Sequence, residues 1–179
     1  METKGRQNKS RIVGKQRPTS TSITCGKDNP SSLRCVFYEL ESGELAAPFC
    51  AKHIHEGHRG VMHGGLSAAI IDETMGRSNA VYHKKTGRDY IPVVTAQMTT
   101  KYIKPIYVGE PMVAYGRVIK EEGRKRFATG EIINEKGEVV LEAEALFITV
   151  DLEMDRAEVV GQHEICQLSA VDHVVSVVK

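Results

Sequence analysis

The spacing of apolar residues along the chain changes once in a decisive way, and the change divides it into elements. From Gly64 to Tyr82 the residues are mostly small or aliphatic with few charges, which predicts one long, largely buried helix ending before Lys84-Lys85-Thr86-Gly87. Ala68, Ala69, Gly76 and Ala80 would let that helix nest closely inside a curved sheet. Beyond it, residues 91–103, 110–121, 124–134 and 138–151 alternate in strand fashion and are rich in β-branched side chains. The last run shows this most clearly. Val139, Leu141, Ala143, Ala145 and Phe147 fall on one side, Glu142 and Glu144 on the other. Before the helix, residues 33–41 and 44–54 read as two strands joined at Ser42-Gly43. The short separators among the later strands predict antiparallel hairpins. Two strands, a long helix and four strands give an α+β domain, one antiparallel sheet wrapped around one helix.

The chemistry gathers where the helix begins. His63-Gly64-Gly65 opens it, and glycine is a poor helix former, costing roughly 1 kcal/mol per residue relative to Ala inside a helix. At a helix start the pair has a use. The first amides have no intrahelical acceptor and carry the positive end of the helix dipole. Without Cβ atoms, Gly64 and Gly65 let a ligand oxygen approach those amides closely. Asp72 lies eight positions beyond Gly64, about 12 Å along the axis. That is too far for both to act on one carbonyl from the same helix. The spacing predicts a site shared between two copies, with the Asp supplied by a second, antiparallel helix.

His63-Gly64-Gly65, an apolar helix and then Asp72 resemble the hotdog-fold acyl-CoA thioesterases of the phenylacetate-pathway and 4-hydroxybenzoyl-CoA thioesterase superfamily. Gly57, Gly60 and the lead-in Cys25-Gly26-Lys27-Asp28-Asn29-Pro30 also fit, and the resemblance covers roughly residues 25–150. It implies a hotdog fold, a dimer or dimer of dimers, and hydrolysis of an acyl-CoA to free acid and CoA without a cofactor. In that scheme the Gly64 and Gly65 amides hold the developing oxyanion, Gly64 more directly. Asp72 is the base or nucleophile, and a carboxylate within so apolar a helix is costly unless used or paired. His63 either supports catalysis or fixes the helix entrance. Thr95 matches a strand position where relatives carry a Ser or Thr that orients water. Many relatives place an Asn six positions before the motif His, where this chain has Gly57, so His58 is the neighbour to test for that task. Lys101, Lys104, Arg124, Lys125 and Arg126 are candidates to meet CoA phosphates. Glu73, about 100° around the helix from Asp72, is expected to face the dimer seam or solvent, and is the first alternative to Asp72.

Bulk properties narrow the classes. The chain has 179 residues, enough for one domain, with 41% apolar and 26% charged residues. A net charge of +1 gives no general reason to expect nucleic acid. No apolar run reaches membrane-spanning length and no apolar leader is visible, so a cytoplasmic protein is expected. Cys25, Cys35, Cys50 and Cys166 lack metal or redox spacing and read as free thiols. Residues 1–24 are basic and polar, and are read as a flexible tail preceding a domain at 25–151. Residues 152–179 form an extension of unassigned role. His53, His55, His58 and His63 are close in sequence, and a strand would put His53 and His55 on one face, but no acidic or Cys partner completes a metal set. Two other readings share this fold: an acyl-thioester dehydratase or hydratase, and a non-catalytic acyl-CoA-binding protein. The Gly-Gly entrance with Asp72 argues against the first.

Overall fold

The computed structural model describes residues 10–150. Strands β1 (Ile12–Gln16), β2 (Phe37–Leu40) and β3 (Leu45–Cys50) come first. A one-turn 3-10 helix (His53–His55) and a small hairpin, β4 (Glu56–His58) and β5 (Val61–Met62), lead into helix α1 (Gly64–Thr86). Four long strands follow: β6 (Val93–Tyr102), β7 (Pro111–Glu122), β8 (Lys125–Asn134) and β9 (Val139–Thr149). Seven strands make one antiparallel sheet in the order β1-β2-β3-β7-β8-β9-β6. The helix lies across one face of it, against β3, β6, β7, β8 and β9.

A path of small residues seats the helix. Gly116 on β7 pairs with Gly130 on β8, and Gly130 pairs with Ala143 on β9. A Cβ at Gly116 would sit 2.8 Å from the Thr74 carbonyl oxygen and 2.9 Å from the Met75 Cα. At Gly130 it would sit 2.7 Å from Ile71 Cδ1. Ile70, Ile71 and Met75 are fully buried here, packed with Phe37, Leu45, Ile132 and Leu141. Because Gly116 meets backbone and not a yielding side chain, Gly116→Ala is expected to cost about 3 kcal/mol, at the upper end of overpacking penalties. Urea denaturation measures this. A loss below about 0.5 kcal/mol would mean that the helix rides higher than described.

Several sequence expectations change. The helix runs to Thr86 and not Tyr82. Lys84 and Lys85 are good helix formers, and the stop is Gly87, left-handed at φ 66° with its N–H on His83 and Lys84 carbonyls. The β6–β7 hairpin does not form, since β6 pairs with β9 at the far edge of the sheet. Residues 103–110 are held elsewhere. Ile103 and Lys104 donate to the Val140 carbonyl, Val108 to Gly60 and Gly109 to Ala51. With those amides taken, and Pro105 lacking one, the segment crosses the end of the sheet and does not turn back. The strand expected over 44–54 stops at Cys50, and His53 to His55 curl into the 3-10 turn.

The expected tail over 1–24 is also corrected for its described part. β1 pairs with β2, and Gln16 donates to the buried Glu39 at 3.2 Å. Thr24 and Cys25 are buried against the helix. A composition argument counts apolar residues, and it misses a polar segment whose groups find buried partners. The extension at 152–179 and Cys166 lie outside the described residues.

Candidate active site

At the helix start, His63 is the N-cap, extended at φ −62° and ψ 127°, and its Nδ1 accepts the Gly65 N–H at 2.9 Å. That bond occupies the Gly65 amide, so the expectation of two free glycine amides is corrected to one. Gly64 is the first helical residue, and its N–H has no acceptor within the helix. The His63 ring thus fixes the helix entrance, one of the two roles foreseen for it. Gly57 packs directly on this corner. A Cβ there would lie 3.0 Å from the His63 Cα. Tyr102, which the sequence reading did not single out, donates its hydroxyl to the Gly64 carbonyl at 3.1 Å. Gly64, Ser67, Tyr102 and Leu141 line a depression of about 320 Å³ beside it.

The second half of the site is further along the helix. Thr95 donates its hydroxyl to Asp72 Oδ1 at 2.8 Å. A β-bulge makes this contact: Thr95 pairs with Phe147 and Gln97 with Leu146, leaving Ala96 as the extra residue between them. Burial pushes the Asp72 carboxyl above the ordinary carboxylate range. The Thr95 hydroxyl pulls it back, and the neighbouring Glu73 charge adds to the rise. A carboxylate so placed is ready to take a proton. Asp72 and Thr95 open into a cleft of about 610 Å³. The structure therefore brings Asp72 to Thr95, and separately brings Gly57, His63, Gly64 and Gly65 together. Within one chain the two groups stay about two helical turns apart.

Other foreseen residues lie elsewhere. Glu73 is turned toward the 22–25 segment and is largely withdrawn from solvent. Its carboxylate accepts from Thr24 and from Ser22 at 3.2 Å, contacts the Cys25 thiol at 3.4 Å, and pairs with Arg77 at 2.7 Å. Burial opposes its charge, but Arg77 and these hydrogen bonds hold its carboxyl below the usual range. Lys101 sits on the outer face of the sheet and pairs with Glu142 at 3.4 Å. Arg124 clamps the Thr149 carbonyl at 2.9 Å and 3.2 Å. Arg126 is buried and pairs with Glu121 at 3.0 Å, and Lys104 pairs with Glu138 at 2.9 Å. None of these is brought to Asp72.

The four histidines separate. His53 pairs with Glu56, buried His55 is bonded to the Lys52 amide and the Ser31 carbonyl, and His58 is exposed on β4. Among the described residues no three His, Cys, Asp or Glu side chains are grouped to hold a metal ion.

Residues 59–141, which carry His63, Gly64, Asp72 and Thr95, match the model of the thioesterase superfamily. The chain is similar to that superfamily over the stretch that holds the candidate site. Over 115 residues the chain is 36% identical to the acyl-coenzyme A thioesterase THEM4 of Xenopus laevis, covering 64% of this chain and 49% of that one. It thus spans about half the length of that curated relative. A crystal structure of a thioesterase superfamily protein aligns with a TM-score of 0.65 and 26% identity, over 81% of this chain and 70% of that one. The E. coli PaaI protein from the phenylacetic acid degradation operon aligns with a TM-score of 0.58 and 14% identity, over 66% and 80% of the two chains. The long antiparallel sheet around one main helix is the hotdog fold of these thioesterases. Among the described residues no helix is long and apolar enough to cross a membrane.

Proposed function

We propose that the protein hydrolyses an acyl-CoA thioester to the free acid and CoA. The observation that carries this is the Thr95–Asp72 hydrogen bond at 2.8 Å inside an open cleft, within the stretch matched to the thioesterase superfamily. The thioester carbonyl rests on the Gly64 amide at the helix start, where charge that develops on its oxygen meets the positive end of the dipole. Asp72 of a second copy faces the carbonyl carbon. It either deprotonates a water held by Thr95 or attacks directly to give a mixed anhydride that water then opens. CoA leaves as the thiol. β6 supports the shared arrangement, because among the described residues it is an edge strand paired on one side only, by β9. A twofold contact along such an edge would place two helices antiparallel.

Full-length protein incubated with a panel of acyl-CoAs is expected to release free thiol. Binding of acyl-CoA with no release from any member would favour the non-catalytic binding protein. Thr95 supplies a finer test. Asp72 must be deprotonated to act, so activity falls as pH drops through its pKa. Thr95 lowers that pKa, so Thr95→Val should move the acid limb of the kcat/KM profile to higher pH, with about a tenfold loss. Thr95→Ser should restore the limb. An unmoved limb in the Val variant would remove Thr95 from the reaction.

A further inference from the structure

The cleft beside Asp72 has a wall that lies outside the segment matched to the superfamily. On the helix side it is floored by Ala69, Gly76 and Ala80, which share a face with Asp72 at steps of three and four. Phe147 closes the floor, its ring 3.3 Å from where a Gly76 Cβ would be. The opposite wall is the stretch from Thr19 to Thr24. It is fastened to the helix through polar groups. Ser22, Thr24 and Cys25 converge on Glu73, and Arg77 reaches the Arg17 carbonyl at 3.2 Å. The Ser22 and Thr24 hydroxyls are both spent on Glu73. The large apolar side chains at the opening are Ile23, 39% exposed, and across the cleft Val93 on β6, on the same side of the strand as Thr95.

We propose that residues 19–24, clasped by Glu73 and Arg77, form the wall that sets which acyl groups the cleft accepts. Ile23 is the residue that contacts the chain, and Ala80 is its far stop. The proposal rests on the thioesterase reading. The occupant is an unbranched apolar acyl group, because the cleft is continuous with Asp72 and Thr95 and a track of Ala69, Gly76, Ala80, Phe147 and Ile23 runs along it. Ala80 lies eight residues beyond Asp72, about 12 Å along the helix, and that span is the reach available to the chain. Glu73 acts as a positioning residue, touching the wall and not the substrate.

The test is the chain-length profile of kcat/KM for straight-chain acyl-CoAs, followed by thiol release, in the wild type, Ile23→Ala and Ala80→Leu. In the wild type kcat/KM should rise about fourfold per added methylene until the cleft is filled, then level off. Ala80→Leu should bring the plateau to a shorter chain. Ile23→Ala changes a half-exposed side chain and should not impair folding. It should lower the ratio of long-chain to acetyl kcat/KM about tenfold. A flat wild-type profile, or variants that reproduce the wild-type profile, would overturn this inference and leave the thioesterase reading intact. No thiol release from any acyl-CoA would defeat both.

Discussion

Asp72→Asn is expected to lower kcat for thiol release by about 10³-fold, within the range general bases contribute. The substitution is nearly isosteric, and the Asn carbonyl oxygen can still accept the Thr95 hydroxyl that Asp72 Oδ1 holds at 2.8 Å. What it removes is the proton acceptor or nucleophile. Burial already disfavours the charged form of this carboxyl, so neutralising it should leave the urea midpoint unchanged or slightly raised. Loss of activity with retained stability therefore separates a chemical role from a structural ion pair. Residual activity within tenfold of wild type would sink Asp72 as the acting group, and Glu73 could not replace it while bound to Arg77 and the 22–25 segment.

Gly64→Pro gives the complementary result, an expected loss of about 10²- to 10³-fold, typical of one oxyanion donor. Proline removes only the amide under test. Gly64 is the first helical residue, where proline is favoured, and His63 before it is already extended. The His63–Gly65 cap can survive, and an ordinary van der Waals contact with Tyr102 awaits a Cβ at this position. Gly64→Ala, which keeps the N–H, is the control and should stay within a few-fold of wild type. The two variants also test the shared site. Mixed after co-refolding, Asp72→Asn and Gly64→Pro chains should regain about a quarter of wild-type activity, since random pairing gives half mixed dimers, each with one intact site. A mixture as inactive as its parents would place both groups in one chain's site.

The helix and the four later strands were legible because a long apolar run and strict alternation leave little room for other readings. Asp72 and Thr95 were each legible, one from the motif and the other from the strand position, but their mutual hydrogen bond was not. Local pattern could not reveal which strand β6 would join, because that depends on where residues 103–110 find acceptors. Nor could it show that the His63 ring would take the Gly65 amide, a choice between two neighbours fixed by loop geometry. Glu73 was misjudged for a related reason. Its partners Ser22, Thr24 and Cys25 lie some fifty positions away in a stretch whose composition reads as tail.

Thr95 bonds to Asp72, and Tyr102 on the same strand bonds to Gly64. They stand seven positions apart, an odd number, so an unbroken pleat would send one of them to the outside of the sheet. Ala96 absorbs the mismatch, and one continuous ribbon can therefore touch both the acid and the helix mouth. Deleting that single alanine, chemically inert as it is, would uncouple the two ends as surely as replacing either polar group.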